Sequence, residues 1–513
     1  MTSGVVKSVV LFLLLAVFSL VAGSMVADSA KEAIIPALLV GGIGALLWLG
    51  KNCWWLIFIV PPIITAFGFM PNMPVGYAAG GVVMVYWVML SMLGHTRLTW
   101  NGVKHLDIVT LVLFLFFIST WFRNPVTIEY FSSIYDEGYA DFGGSVYVWC
   151  VASVVFYVSL SIIPLKLEFV IKILKVAFWL SFVVTFFLGI KAILTPASES
   201  LAITPVGKED LRSSPLMSSG ISLAHFLFSR FAIVGILLSP WKLILIIASF
   251  AAVAKSGFRS EILKLMIFAG ISNFFHRQFV LLFILMACAW GAIVCMSQTR
   301  VFDDMPFGMQ RSLSAVPGIQ LGNESAESAV ENANATMDWR YQLWDMGWNP
   351  KSGYIKDYMC GDGFAISQEF IKRQSLLIHR GDIVYGDLHN FAVSGLWHHG
   401  TLSVVHRTGW VGVFILGIWM LFFIGAAFRL CISFRNTIGK EYVYIHAIPL
   451  IQIPILFFWT PYEWLHVFRI IIYEATLVKV IYSVAVRDGF IHSLFAKRTY
   501  VPLIQQPSNS ILA

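Results

Sequence analysis

The sequence predicts an all-α polytopic membrane protein, and three observations carry that reading. Its composition is 58% hydrophobic and only 12% charged, with a mean hydropathy of +0.78, outside the balance of soluble domains. Apolar runs of about 17 to 25 residues recur along the chain, enough to cross a hydrocarbon core of roughly 30 Å as helices. A transmembrane barrel would instead show segments of about ten alternating residues.

About fourteen candidate spans follow in order. The first, 8–27, has the basic start (Lys7) and apolar centre of a signal peptide, and is read as an uncleaved span. Ten more precede a long interruption: 33–50, 54–70, 75–94, 107–122, 145–163, 169–190, 221–239, 241–254, 262–275 and 279–296. Three follow it, at 410–428, 443–459 and 467–486. With the N-terminus inside, the short inner loops and flanks hold thirteen Lys/Arg and the outer ones seven, so the positive-inside rule predicts that both termini are cytoplasmic. The organisation is therefore membrane helices over 1–296, a loop domain over 297–409 on the outer face, membrane helices over 410–486 and a cytoplasmic tail over 487–513.

The net charge of +7 lies scattered in short loops rather than in a stripe or tail, which argues against nucleic acid as a partner. The loop domain has nine Lys/Arg against twelve Asp/Glu, a charge of −3, so it is no basic membrane-binding patch either. Of six cysteines only Cys360 lies in a substantial soluble segment, and no disulfide framework or zinc spacing follows.

Inside the loop domain, "ATMDWRYQLWDMGWNPKSG" reads as a helix. Thr336 serves as N-cap, Asp338 lies in the first turn, and Asn349-Pro350 is the stop. Met337, Tyr341, Trp344 and Trp348 follow helical spacing. An Ala/Glu/Asn/Ser-rich link over 322–335 precedes it.

Three places offer chemistry. Arg259 in "KSGFRSEIL" stands at the outer mouth of a short span, where a basic residue also serves as an interfacial anchor. Arg340 lies in "MDWRYQLW", which also suits an amphipathic helix on the membrane surface. The third is "SGLWHHGTLSVVHRTGWVG": five of the twelve histidines, His379, His389, His398, His399 and His406, fall within 28 residues. No HExxH or paired Cys/His spacing supports zinc there, and a neutral imidazole suits general-base work. Arg230, in "SLAHFLFSRFAIVGIL" with His225 nearby, sits in an apolar run and is expected to face the bundle interior or a wet cavity.

Together these residues give a family resemblance. The chain resembles the O-antigen ligase and O-antigen polymerase superfamily of bacterial envelope glycosyltransferases. The ligase pattern of Arg, three residues, Leu is met by Arg259 to Leu263. The second pattern is His, then Asn, Ser or Gln, nine residues, Gly, two residues, and Gly, Thr or Tyr. His398, His399, Gly409 and Gly412 nearly meet it. His399 departs from it. A competing frame opens at His389-Asn390 and reaches Gly400, but ends on Ser403, so His398 is preferred.

The resemblance implies a many-span bundle of the GT-C type with a large periplasmic loop, in the bacterial inner membrane. It implies transfer of a glycan from an undecaprenyl-diphosphate-linked donor to a sugar hydroxyl, the acceptor being either a second glycan or lipid A-core. A chain-length regulator or flippase would be the accompanying partner. Polymerase is preferred to ligase because of His399. His398 is then the general base, with Arg259 and Arg340 clamping the diphosphate in place of a metal, and no cofactor is expected. Trp344 and Trp348 are candidates for sugar stacking, His399 and His406 for orienting the base or acceptor, and Arg230 for lining the donor's path.

Two other readings stay open. A transporter or lipid flippase would place its ionisable groups near the bilayer midplane. A metal-dependent glycosyltransferase would use acidic loop residues such as Asp28, Glu32, Asp303 and Asp304.

Overall fold

In the computed structural model the described residues are 44, 48–66, 75–125, 145–194, 215–255, 259–298, 324–365, 388, 391–392, 395, 397–457 and 464–491, and among them every regular element is helical. In chain order the described helices are α1 (Leu56–Ala66, after a 3-10 turn at Gly50–Trp55), α2 (Val75–Met92), α3 (Lys104–Arg123), α4 (Ser145–Ile162), α5 (Leu167–Leu194) and α6 (Pro215–Arg230). Then come α7 (Ile233–Leu237), α8 (Pro240–Lys255), α9 (Arg259–Phe275), α10 (Phe279–Ser297) and α11 (Glu324–Trp348). The last four are α12 (Gly400–Phe434), α13 (Lys440–Phe457), α14 (Trp464–His466) and α15 (Ile472–Arg487), a π-helical stretch at Val467–Ile471 joining the last two.

Three helices are long and apolar enough to cross a membrane by length and composition: α3, α5 as far as Lys191, and α12. Shorter apolar stretches lie in α2, α4, α8 and α10. Large apolar side chains such as Leu111, Phe414 and Leu421 stand more than half exposed on these helices, at 57%, 68% and 68%. Water penalises such faces and lipid does not, so the chain is a helical, membrane-associated protein.

Several boundaries differ from those the sequence predicts. The segment 8–27 and most of 33–50 lie outside the described residues. The predicted span 221–239 is broken: α6 ends at Arg230 and α7 begins at Ile233. The Asn273 side chain accepts from the Ile233 N–H at 2.9 Å and the Gln278 side chain from the Val234 N–H at 3.1 Å, so side chains from the end of α9 and the turn after it satisfy the start of α7. Helix α11 begins at Glu324, and Thr336 lies inside it rather than at its cap. Seven of the twelve residues 324–335 are Ala or Glu, strong helix formers, and the helix extends backwards through them. Its end is where the sequence places it: the Asn349 side chain accepts from the Lys351 N–H as Pro350 opens a 3-10 turn.

Helices α12 and α13 form an antiparallel pair, and α15 packs against both. Helices α6 and α9 pack on α13 with α8 against α6, α5 links α6 to α1, α1 and α2 pack together, α4 joins α2 to α15, and α3 lies along α12. This arrangement defines two ends. At one end Gly400 meets Phe457, and the Trp464 indole donates to the Thr408 hydroxyl at 3.0 Å. At the other end are the α12–α13 turn and the starts of α3 and α13. There Lys479, fully buried, pairs with Asp107 at 2.8 Å and donates to the Ser161 hydroxyl at 2.6 Å. Such a pair fixes the register of α15 against α3 and α4, because breaking one side would strand a buried charge.

Candidate active site

The site is assembled at the Gly400 end by three pieces of the loop domain seated on the start of α12. The second half of α11 packs through Leu343 onto Ala392, Trp397 and Leu402, in a small apolar cluster separate from the main core. The buried face of α11 therefore runs through Trp339 and Leu343. The stripe counted from Met337 is displaced from it, leaving Tyr341 53% exposed.

The segment 356–363 is a self-braced turn. The Asp357 carboxylate accepts from the Met359 and Cys360 N–H groups at 2.9 Å each, and Asp362 accepts from Lys356 and Asp357. It clasps α12 where that helix breaks. Gly409 has φ 68° and ψ −176°, a conformation essentially confined to glycine, and a Cβ there would run into the Met359 carbonyl. The helical bonds lost at the break are replaced across the chain. Asp362 and Gly363 N–H groups donate to the carbonyls of His406 and Arg407 at 2.7 and 2.9 Å, and Trp410 N–H donates to Tyr358 at 2.9 Å. Gly412 admits the Thr408 hydroxyl, which a Cβ would strike. The two motif glycines thus hold the backbone that carries the histidines, and the Arg123 guanidinium fastens the clasp to α3 through the Cys360 carbonyl.

His398 occupies a backbone position with φ 48°, where a side chain costs of order 1–3 kcal/mol and persists only if its surroundings over-determine it. Both neighbours are pinned. Trp397, fully buried, donates its indole N–H to His406 Nδ1 at 2.9 Å, while its carbonyl accepts the Trp344 indole N–H at 2.8 Å. His399 is the N-cap of α12, its Nδ1 accepting from the Leu402 N–H at 3.2 Å. Burial holds the His399 imidazole below its usual value, which favours the unprotonated ring that can accept this bond. Asn and Ser are among the strongest capping residues, and His399 fills that position here. Replacing His399 by Asn should leave thermal stability nearly unchanged, whereas Ala should cost about 1 kcal/mol; equal melting of the two variants would refute the capping role.

The His398 ring packs against Trp339 and Phe391, each centroid 5.4 Å away, and those two rings meet each other at 4.9 Å. Its Nδ1 is buried and has no hydrogen-bond partner among the described residues. Burial, with the Arg340 charge adding to it, pushes the His398 imidazole down to about 4. The ring is therefore neutral at pH 7 and its lone pair is uncommitted.

Not every predicted residue joins this centre. Arg340 and His398 are brought together. Arg259 opens α9; Lys264, little more than one turn on, lies within electrostatic reach of His466, which places the start of α9 at the same end. The Arg259 side chain lies outside the described residues, as do His379, His389, Asp28, Glu32, Asp303 and Asp304. Trp344 is committed to the Trp397 carbonyl, and its ring meets the edge of His399 at 5.1 Å. Trp348, 37% exposed, stacks on Trp410 at 5.9 Å. His406 is 4% exposed, bonded to Trp397 and 3.6 Å from Asp362, so it braces the loop from below. Arg230 is at the other end, 3.6 Å from Glu441 at the start of α13 and beside the rings of Phe226 and Phe231. Its predicted place along a path to the site is not what the fold gives it: α6 stops at this residue, and its charge is met there.

Sequence reasoning passed over Trp397, Asp362 and Arg407, which is buried and donates to the Gly363 carbonyl at 3.2 Å. The turn signal "CGDG" at 360–363 was the available clue, but nothing local ties it to Gly409. No protein-family model, curated protein or solved structure matches the chain.

Proposed function

We propose that the protein is a metal-independent membrane glycosyltransferase of the O-antigen polymerase or ligase type, acting on the outer face of the bacterial inner membrane. The observation that carries the reading is His398, a buried imidazole at positive φ beside Arg340, with no hydrogen-bond partner for its Nδ1 among the described residues.

In the reaction, the acceptor hydroxyl forms a bond to the anomeric carbon of the donor saccharide. The bond from that carbon to the diphosphate oxygen breaks, and its electron pair leaves with the diphosphate. His398 takes the hydroxyl proton. Arg340 and Arg259 hold the diphosphate, since the planar guanidinium fork matches phosphate oxygens and preorganised positive charge stabilises the growing anion. Of the two acceptor classes, a second lipid-linked glycan is preferred to lipid A-core, because His399 departs from the ligase pattern.

The pH profile tests this assignment. Because the imidazole is held down, it protonates only as pH falls through about 4, so kcat/KM should keep its acid limb near that value rather than near the ordinary histidine value of about 6.5. In Arg340→Ala the limb should move upward, because one of the two causes of the depression is gone, and kcat/KM should fall by at least about tenfold. Arg340→Lys should also be impaired. An acid limb identical in wild type and Arg340→Ala would remove His398 as the base next to Arg340.

A further inference from the structure

A second site lies at the opposite end of the bundle. Helix α3 starts at Lys104 after Val103, whose side chain makes no cap. The first N–H groups of a helix have no acceptors within it, and together with the helix dipole they favour an anion. A cavity of about 440 Å³ opens against this start, lined by residues 102–105 and, from α15, by Tyr482, Ser483 and Val486. Tyr482 is 1% exposed, and its hydroxyl has no hydrogen-bond partner among the described residues. A buried hydroxyl in that condition costs on the order of 1–3 kcal/mol unless a ligand or water meets it.

The charge around the cavity is positive. Lys104 is exposed at its edge, and Arg429 on α12 lies within electrostatic reach of His105. The carboxylate of the first turn, Asp107, is already met by Lys479 at 2.8 Å, by the Tyr157 hydroxyl at 2.6 Å and by the Trp100 indole at 3.0 Å. It therefore does not repel an incoming anion as a bare charge would. From the cavity, the exposed side chains of Ile108, Leu111 and Leu115 run up one face of α3, a surface suited to hydrocarbon.

We propose that this cavity binds the phosphate of an anionic phospholipid head group, with the acyl chains laid along α3. Lys104 and the first N–H groups of α3 hold the phosphate oxygens, and Tyr482 donates its hydroxyl hydrogen to one of them. Neither His398 nor the proposed transfer reaction is needed for this site.

Native mass spectrometry of the full chain in detergent tests it, with phosphatidylglycerol, phosphatidylcholine and inorganic phosphate as probes. Phosphatidylglycerol should be retained about tenfold better than phosphatidylcholine. Lys104→Gln should lower that retention about fivefold, the effect of one basic side chain at a lipid surface, and Tyr482→Phe severalfold. Circular dichroism checks that both variants keep their helices; Lys104, being exposed, supplies the decisive variant if Tyr482→Phe unfolds. Equal retention of the two lipids, or retention unchanged by Lys104→Gln, overturns the proposal. Binding of inorganic phosphate with no preference between lipids reassigns the cavity to free phosphate and overturns the lipid assignment too.

Discussion

His398→Ala is expected to lower glycan transfer by about 10²- to 10⁴-fold, the range that a positioned general base contributes. The variant should still insert and fold. Its ring packs against the Trp339–Phe391 pair at the small loop cluster, away from the main core of the bundle, so the truncation leaves the α12, α13 and α15 packing untouched. The backbone at φ 48° remains unfavourable for alanine, so His398→Gly is the better control: it relieves the strain yet has no base, and should be as inactive as the alanine variant while melting at least as high. The measurement is elongation or attachment of glycan by purified enzyme in proteoliposomes. Wild-type rates in both variants would remove His398 from the mechanism, whatever its geometry.

Gly409→Ala should be the most damaging substitution for the architecture of the site. The residue sits at φ 68°, ψ −176°, and the added methyl would meet the Met359 carbonyl. Moving the clasp aside breaks the bonds that Asp362, Gly363, Trp410 and Val411 N–H groups make across the break. The sum of backbone strain and lost hydrogen bonds is about 3–5 kcal/mol. The loss should be local, because α12 beyond Trp410 packs independently in the bundle. Limited proteolysis should therefore cut the 350–400 region in Gly409→Ala well before the membrane helices, and transfer should fall with it. A variant that resists protease like the wild type and keeps its activity would show that the break at Gly409 is incidental.

These two residues also show how much could be read without coordinates. The sequence made His398 a candidate through its spacing to Gly409 and Gly412, a spacing whose physical reason only the fold supplies: the first glycine breaks α12 to receive the 356–363 turn, and the second admits the Thr408 hydroxyl. Arg340 was legible because it lies in a helix with a clear stop at Asn349-Pro350, although the start of that helix was misplaced by the strong helix formers before Thr336. Arg230 closes α6, and Glu441, 211 positions later, answers its charge, a partner that no local pattern announces. His399 looked like a departure from a pattern, and hydrogen bonding shows it to be a cap.

By itself the sequence determined the helical, membrane-associated class, the position of the long polar interruption, and which residue types stand at its edges, because hydropathy and periodicity are properties of neighbours along the chain. The tertiary structure alone decided which of those residues meet. The union of Trp397 with His406, of Asp362 with the His406 carbonyl, and of Arg340 with His398 depends on packing between segments as many as 58 residues apart. Contacts of that kind arise from the closure of loops over a shared apolar cluster, which leaves no periodic trace in the order of the amino acids.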